Sequence, residues 1–151
     1  MQNIFSTEGV HHFTERIQRL NNNTQAQWGK MNVAQMLAHC NVTYRMIYEP
    51  GFLQKPGFLK GLLFKWFIKP YVVSEKPYKQ SVQTAPQFIV VDEKNFNEER
   101  QKLLSYMQRV QQEGEIAFEG RESHSFGPLT AKEWNTLFAK HLDHHLRQFG
   151  A

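Results

Sequence analysis

The stretch TAKEWNTLFAKHLDHHLRQFG, residues 130–150, has the pattern of an amphipathic helix. At about 100° per residue, one side of a helix collects its apolar residues and two histidines. That side holds Trp134, Leu137, Phe138, His141, His145 and Phe149. The opposite side is expected to carry Lys132, Thr136, Ala139, Lys140, Asp143 and Arg147. A capping box begins at Thr130 and Gly150 is a typical residue after a helix end, so the stretch predicts one complete amphipathic helix.

Three earlier stretches share this helical periodicity. Residues 6–21, 33–48 and roughly 93–113 each repeat apolar side chains at spacings of three and four. Residues 113–129 are expected to form a loop before the last helix. Four amphipathic helices in one short chain predict an all-α fold, a four-helix bundle in which residues 1–151 form one domain.

Residues 50–86 interrupt this pattern and form an insertion between the second and third helices. Five prolines divide the insertion, so no long helix is expected to run through it. Its apolar part, GFLKGLLFKWFIK at 57–69, is too short and too charged to span a membrane. Three alternatives remain: a short helix and extended chain packed on the bundle, a lid over a pocket formed by 57–73, or an aromatic patch at a membrane surface. The residues expected in that patch are Phe58, Leu62, Phe64, Trp66 and Phe67, with Lys60, Lys65 and Lys69.

Composition narrows the class of protein. The chain has 151 residues and a net charge of +4, and its lysines are dispersed without a nucleic-acid-binding motif. We therefore expect no nucleic-acid partner. The lone Cys40 cannot form an internal disulfide, and the first residues lack the basic start and apolar run of a secretory signal. These features predict a cytoplasmic protein without a transmembrane segment.

The two histidines on the apolar side of the last helix suggest a metal site. His141 and His145 are one turn apart, so their side chains can reach the same point. Burying both requires a partner for every ring nitrogen, and a divalent metal uses one nitrogen from each ring. An HxxxH spacing is common, however, and the glutamate of an HExxH motif is missing. Metal ligation and structural hydrogen bonding are both open on this motif alone.

A third ligand is expected because metal sites with exchangeable positions commonly have three protein ligands. His39 is the best candidate, since it lies on the flank of the second helix's apolar stripe. Cys40 points about 100° away and is expected to pack. His144 at the edge of the last helix and His124 in the loop are possible outer-shell residues, with surface exposure and loop hydrogen bonding as their ordinary alternatives.

WGKMNVAQMLAHC (28–40) followed by SFGPLTAKEWNTLFAKHLDHHLRQFG (125–150) resembles the DinB-like superfamily, also called the YfiT-like metalloenzymes. The likeness is closest to an uncharacterised bacterial branch and covers nearly the whole chain. It implies a four-helix bundle that holds a divalent metal through three histidines, which are His39, His141 and His145 here. Members of the superfamily include thiol S-transferases and an isomerase that use low-molecular-weight thiols. The resemblance also implies a possible homodimer.

These observations together predict a metal-dependent enzyme that acts on a small molecule. Thiol S-transfer and hydrolysis are both open, with a water or thiol on the metal as nucleophile and no catalytic side chain assigned. Zinc and nickel are the preferred ions, and manganese and iron are alternatives. A non-catalytic, metal-stabilised binding or sensor module and a membrane-surface interaction protein are the competing functions.

Overall fold

Four long helices pack against one another in this computed structural model, which describes residues 1–82 and 84–151. In chain order the elements are α1 (Thr7–Gln18), α2 (Val33–Tyr48), α3 (Phe58–Leu63), a π-helical turn (Phe64–Ile68), α4 (Lys69–Val72), a 3-10 turn (Pro86–Phe88), α5 (Phe96–Phe118), β1 (Arg121–Ser123), β2 (Gly127–Leu129) and α6 (Ala131–Gln148). The described chain is thus mostly helical with one small antiparallel sheet. The predicted all-α class is confirmed in this broad sense.

The helices begin where the sequence places capping residues. Asn32 accepts from the backbone of Gln35 at 2.8 Å, and the Gln35 side chain accepts from the backbone of Asn32 at 3.0 Å. Thr130 and Glu133 form the same reciprocal pair at the start of α6. These bonds satisfy backbone N–H groups that have no partner within the helix. They fix the register of α2 and α6, which carry the histidines.

Stacked aromatic rings form the centre of the core. Tyr44 of α2 stacks on Phe138 of α6 with ring centroids 4.8 Å apart, and Trp134 also stacks on Phe138, with centroids 5.4 Å apart. Phe118 closes the group edge-on against Trp134 at 5.6 Å. All four rings are buried. The predicted apolar stripe of α6 is therefore confirmed for its aromatic residues, and it holds α6 against α2.

The opposite side of α6 is less exposed than its pattern suggests. Thr136, Ala139 and Lys140 lie on the side opposite the apolar stripe and are nevertheless buried. Lys140 Nζ donates to the backbone oxygens of Tyr71 at 2.6 Å and Ser74 at 2.8 Å. The insertion therefore covers this side of the helix, a contact that helical periodicity alone does not reveal.

The third long helix and the following loop also depart from prediction. α5 continues beyond residue 113 through a kink at Gly114, whose positive φ of 77° suits a residue without a Cβ. The continuation places Phe118 in the core, where apolar burial stabilises the longer course. Part of the expected loop is instead the β1–β2 hairpin, with Glu122 opposite Pro128.

The insertion contains a continuous helical segment from Phe58 to Val72, followed by bends and irregular chain. No long helix runs through the described part of the insertion, yet this segment passes Pro70, which lies in the first turn of α4 directly after the π-helical turn. Pro70 has no N–H to donate, and it lies where the type of helix changes. None of the residues in this segment is buried. Within the described residues, no helix combines the length and apolarity needed to cross a membrane.

Candidate metal centre

The three predicted ligands meet between α2 and α6. One ring nitrogen from each of His39, His141 and His145 lies within 4.8 Å of the others. The ring centroids are 5.0 Å apart for His39 and His141, 4.5 Å for His39 and His145, and 4.8 Å for the α6 pair. Residues more than 100 positions apart in sequence thus form one cluster, close enough to bind a single metal ion.

Burial differs among the three rings. His39 and His145 are 3% and 7% exposed, whereas His141 is half-buried. His39 faces inward although it lies on the flank of its own apolar stripe, because α2 contacts both α5 and α6. The cluster is therefore largely enclosed, and His141 is its most solvent-accessible member.

Two of the histidines have a fixed tautomer. His39 Nδ1 lies 2.8 Å from the backbone oxygen of Phe88, which can only accept, so Nδ1 carries the proton. His145 Nδ1 lies 2.8 Å from Gln148 Oε1. The Gln148 amide nitrogen donates to the backbone oxygen of Trp28 at 2.6 Å, which orients the amide and makes Oε1 the acceptor. In both rings the unprotonated Nε2 is left to act as a ligand.

The third histidine has a partner that suits either tautomer. His141 Nδ1 lies 3.3 Å from Thr43 Oγ1, and a hydroxyl can donate or accept. His141 Nε2 lies 3.0 Å from His39 Nε2. Two lone pairs repel at this distance, so without a cation His141 must donate its Nε2 proton to His39. A cation between the nitrogens would favour the other tautomer, with His141 Nδ1 donating to Thr43.

Burial keeps all three rings neutral. Loss of hydration lowers the pKa of His39, and it lowers the pKa of His145 to about 3, with the neighbouring histidines adding to the effect. The pKa of His141 falls well below its usual value for the same reason, reinforced by His145 and His39. Neutral imidazole is the form that binds metals. The cluster is therefore in its ligating state at neutral pH.

The donor set fits a divalent transition metal. Two nitrogens bound about 2.0–2.1 Å from one zinc ion in tetrahedral geometry lie about 3.3 Å apart. The Nε2 atoms of His39 and His141 are 3.0 Å apart, and one nitrogen from each of the three rings lies within 4.8 Å of the others. The spacing expected around zinc falls between these two values. Small ring movements would bring the three nitrogens to one ion. Imidazole ligands suit zinc, copper, iron and nickel, so the three rings select this class of ions and no single member of it.

The other predicted site residues lie around or away from this cluster. His144 is half-buried and contacts the His145 ring edge-on at 5.0 Å, with Trp28 and Tyr78 on its other sides. His124 lies 2.9 Å from Ser125 Oγ and 3.3 Å from the backbone oxygen of Leu53, so it links the hairpin to the insertion. The structure thus places His144 against a candidate ligand, whereas His124 contacts the hairpin and the insertion.

Two residues predicted to stay outside the site do so. Cys40 is buried, with its sulfur 3.8 Å from that of Met36. Asp143, on the side of α6 opposite the histidine pair, forms ion pairs with Arg16 at 2.8 Å and with Arg147 at 2.9 Å. The first of these ion pairs joins α6 to α1.

Sequence reasoning missed the groups that orient the histidines. These are the Phe88 carbonyl, Thr43 and Gln148. Thr43 is four residues after one ligand and Gln148 is three residues after another, so both share a helix face with a ligand. That spacing was an available signal for the two side chains. The Phe88 carbonyl had none, because every residue type has one.

The fold and the cluster define a mostly helical protein with a buried three-histidine site. Residues 5–151 match the model of a family described as "Protein of unknown function (DUF1569)", and the chain belongs to this family. No curated protein gives a significant match. A separate comparison with solved structures also gives no significant match.

Proposed function

We propose that this protein is a metal-dependent enzyme that acts on a small, partly apolar molecule, and that His39, His141 and His145 hold its divalent metal ion. The observation that supports this most strongly is the hydrogen bonding behind the rings. Phe88 and Gln148 each occupy an Nδ1 atom, which leaves the Nε2 atoms of His39 and His145 unprotonated. Ligands oriented in this way are typical of metal sites.

The chain's own residues prepare the site for chemistry. Three neutral ligands leave the charge of a bound dication uncompensated. When bound, such an ion supplies the Lewis acidity by which a water or thiol nucleophile ionises near neutral pH. Phe88 lies edge-on to His141 with centroids 6.3 Å apart and provides an apolar wall at the most accessible ligand. We therefore propose that His141 marks the side from which the substrate approaches.

Thiol S-transfer is our first choice of reaction, and hydrolysis is the alternative. The preference depends on the resemblance to the DinB-like superfamily, which we retain as a proposal together with the bundle type, a low-molecular-weight thiol partner and a homodimer. Zinc or nickel is the preferred ion, ahead of manganese or iron. The single buried Cys40 supports a reducing, cytoplasmic location.

Elemental analysis of protein purified without a histidine tag tests the metal site. We expect about one equivalent of metal per chain in the wild type and a strong loss in His39→Ala and His145→Ala. His11→Ala is the matched control, because the His11 side chain is 71% exposed and lies in α1. Absence of metal after metal-replete growth, or equal content in the ligand variants, would contradict the proposal.

Activity is tested separately with metal-loaded protein. Bacillithiol-like thiols with electrophiles report thiol transfer, and activated esters and amides report hydrolysis. We expect thiol consumption that His141→Ala abolishes and His11→Ala leaves unchanged. No turnover of any thiol with any of several metals would exclude thiol transfer.

The burial of two ligands favours a second candidate, a metal-stabilised binding or sensor module. His39 and His145 have little solvent exposure, as structural metal sites often do. A structural ion has no open position, so small anions or thiols would not change the spectrum of a cobalt-substituted protein. A spectral change on addition of thiol, together with turnover, would favour the enzyme.

A further inference from the structure

We propose that the helical segment 58–68 docks the protein on an anionic membrane surface. Five large apolar side chains lie on this segment and are mostly in solvent. They are Phe58 at 84%, Leu59 at 74%, Leu63 at 53%, Trp66 at 68% and Phe67 at 69% exposure. We call these five residues the apolar face. Such a group on a protein surface is typical of an interaction site.

The apolar face replaces part of the patch expected from sequence. Leu62 and Phe64 are half-buried against the rest of the molecule, whereas Leu59 and Leu63 are exposed. Lys69 pairs with Glu133 at 2.9 Å and is therefore engaged within the fold. The docking surface is thus the outer side of the segment with Lys60 and Lys65.

The charge of the segment selects an anionic partner. No aspartate or glutamate occurs between residues 50 and 74, whereas Lys55, Lys60 and Lys65 all lie there. Within the described part of the chain these three lysines form no ion pair. Lys60 Nζ lies 5.5 Å from the centre of the Phe64 ring, so its stem follows the aromatic surface. Exposed aromatic residues flanked by lysines are characteristic of helices that lie in a membrane interface.

A second copy of the chain is a poorer partner for this surface. In a two-fold symmetric contact the same surface meets itself. The lysines of one copy would then approach those of the other, with no acidic residue on the segment to separate them. Like charges brought together in this way oppose association. A bilayer containing anionic lipids pairs with both the apolar face and the lysines.

The segment is also held in place for docking. At its end, Lys140 Nζ donates to the backbone oxygens of Tyr71 and Ser74, and Lys69 pairs with Glu133 at the start of α6. These contacts attach the chain that directly follows the segment to the bundle. The surface therefore exists before binding, which reduces the ordering cost of association.

Co-sedimentation of the full chain with vesicles tests the proposal. The probes are vesicles of phosphatidylcholine alone and of phosphatidylcholine mixed with phosphatidylglycerol. We expect binding to the mixed vesicles only, a loss in the double variant Trp66→Gln/Phe67→Gln, and a decrease of about fivefold for each of Lys60→Gln and Lys65→Gln. Ile116→Gln is the matched control, because Ile116 is 92% exposed on α5.

Tryptophan fluorescence gives a second readout of the same surface. Of the three tryptophans, Trp66 is exposed, Trp28 is half-buried and Trp134 is buried, so insertion into lipid should shift the emission to the blue chiefly through Trp66. The shift should disappear in Trp66→Phe, which should still bind. Failure of the wild type to bind anionic vesicles, or equal binding by the double variant, would overturn the proposal. It would also be overturned if sedimentation velocity showed a dimer that the double variant dissociates, because a second copy would then cover the surface. Metal content reports on the proposed metal site separately in every variant.

Discussion

Gln148 shows how a single side chain can set the chemistry of the site. Its amide donates to the backbone oxygen of Trp28 and accepts from His145, so the direction of one bond determines the direction of the other. Since Gln148 is buried, water does not readily replace either partner. The amide therefore links the connection between α1 and α2, which contains Trp28, to the candidate ligand His145.

Replacing Gln148 tests this role. In Gln148→Met the side-chain volume is retained but His145 loses its acceptor, so metal affinity should fall by about 10–100-fold. Competition with a chromophoric chelator measures this change. Gln18→Met, at an exposed position of α1, should bind metal as the wild type does. Equal affinity in the two variants would show that Gln148 does not position His145.

The hydrogen bond between Thr43 and His141 should reverse its direction when His141 changes tautomer. Because His39 presents an unprotonated Nε2 only 3.0 Å away, metal-free His141 should carry its proton on Nε2. Zinc binding should move this proton to Nδ1, where it is donated to Thr43 Oγ1. Long-range proton–nitrogen NMR of the imidazole rings distinguishes the two tautomers. If His141 has the Nδ1 proton before metal is added, the hydrogen bonding described here is incorrect.

The sequence pattern of a helix shows which of its faces is buried more reliably than it shows which other elements pack against the helix. The caps and the aromatic stripe of α6 follow from residues three and four apart, which are close in sequence and in space. The burial of Lys140 depends on Tyr71 and Ser74, residues far away in sequence. His39 could be proposed as a ligand only because the HxxxH pair on α6 already called for a third one. The carbonyl of Phe88 could not, because backbone groups have no residue-type signal.

Lys140 should stabilise the attachment of the insertion to the bundle. Lys140→Met retains the buried methylene chain but leaves the backbone oxygens of Tyr71 and Ser74 without their donor. The loss should lower the free energy of unfolding by about 1–3 kcal/mol. Urea denaturation measures this value, with Lys30→Met as the control because Lys30 is exposed and lies between α1 and α2. Matching stabilities of the two variants would show that the contact does not stabilise the fold.

In the whole molecule, the histidine cluster lies where α2 and α6 meet, the two helices that begin with capping boxes. α2 and α6 supply the three rings, and the 3-10 turn at the end of the insertion, Pro86–Phe88, contributes the Phe88 carbonyl. Protonation of the cluster therefore cannot be separated from the stability of the whole fold. A charged imidazole in this position would lose hydration and repel its neighbours.

The stability of the metal-free protein should consequently decrease in acid. The pKa of His145 is about 3 in the folded chain, below its value of about 6.5 in an unfolded one. Between these values the unfolded chain binds a proton that the folded chain excludes, so stability is full above pH about 6.5 and falls as pH decreases toward about 3. From pH 6.5 to 5, His145 alone should reduce the free energy of unfolding by about 2 kcal/mol.

Denaturant unfolding at several pH values measures this dependence. His145→Gln should show a shallower decline, because one of the excluded protons is lost, whereas His11→Ala should follow the wild type. Zinc should raise stability at neutral pH and steepen its loss in acid, since protons compete with the metal for the same nitrogens. Parallel pH profiles for the wild type and His145→Gln would mean that this ring is not buried in its neutral form. A steeper decline in the wild type would link the fold's acid sensitivity to the nitrogens proposed to hold the metal.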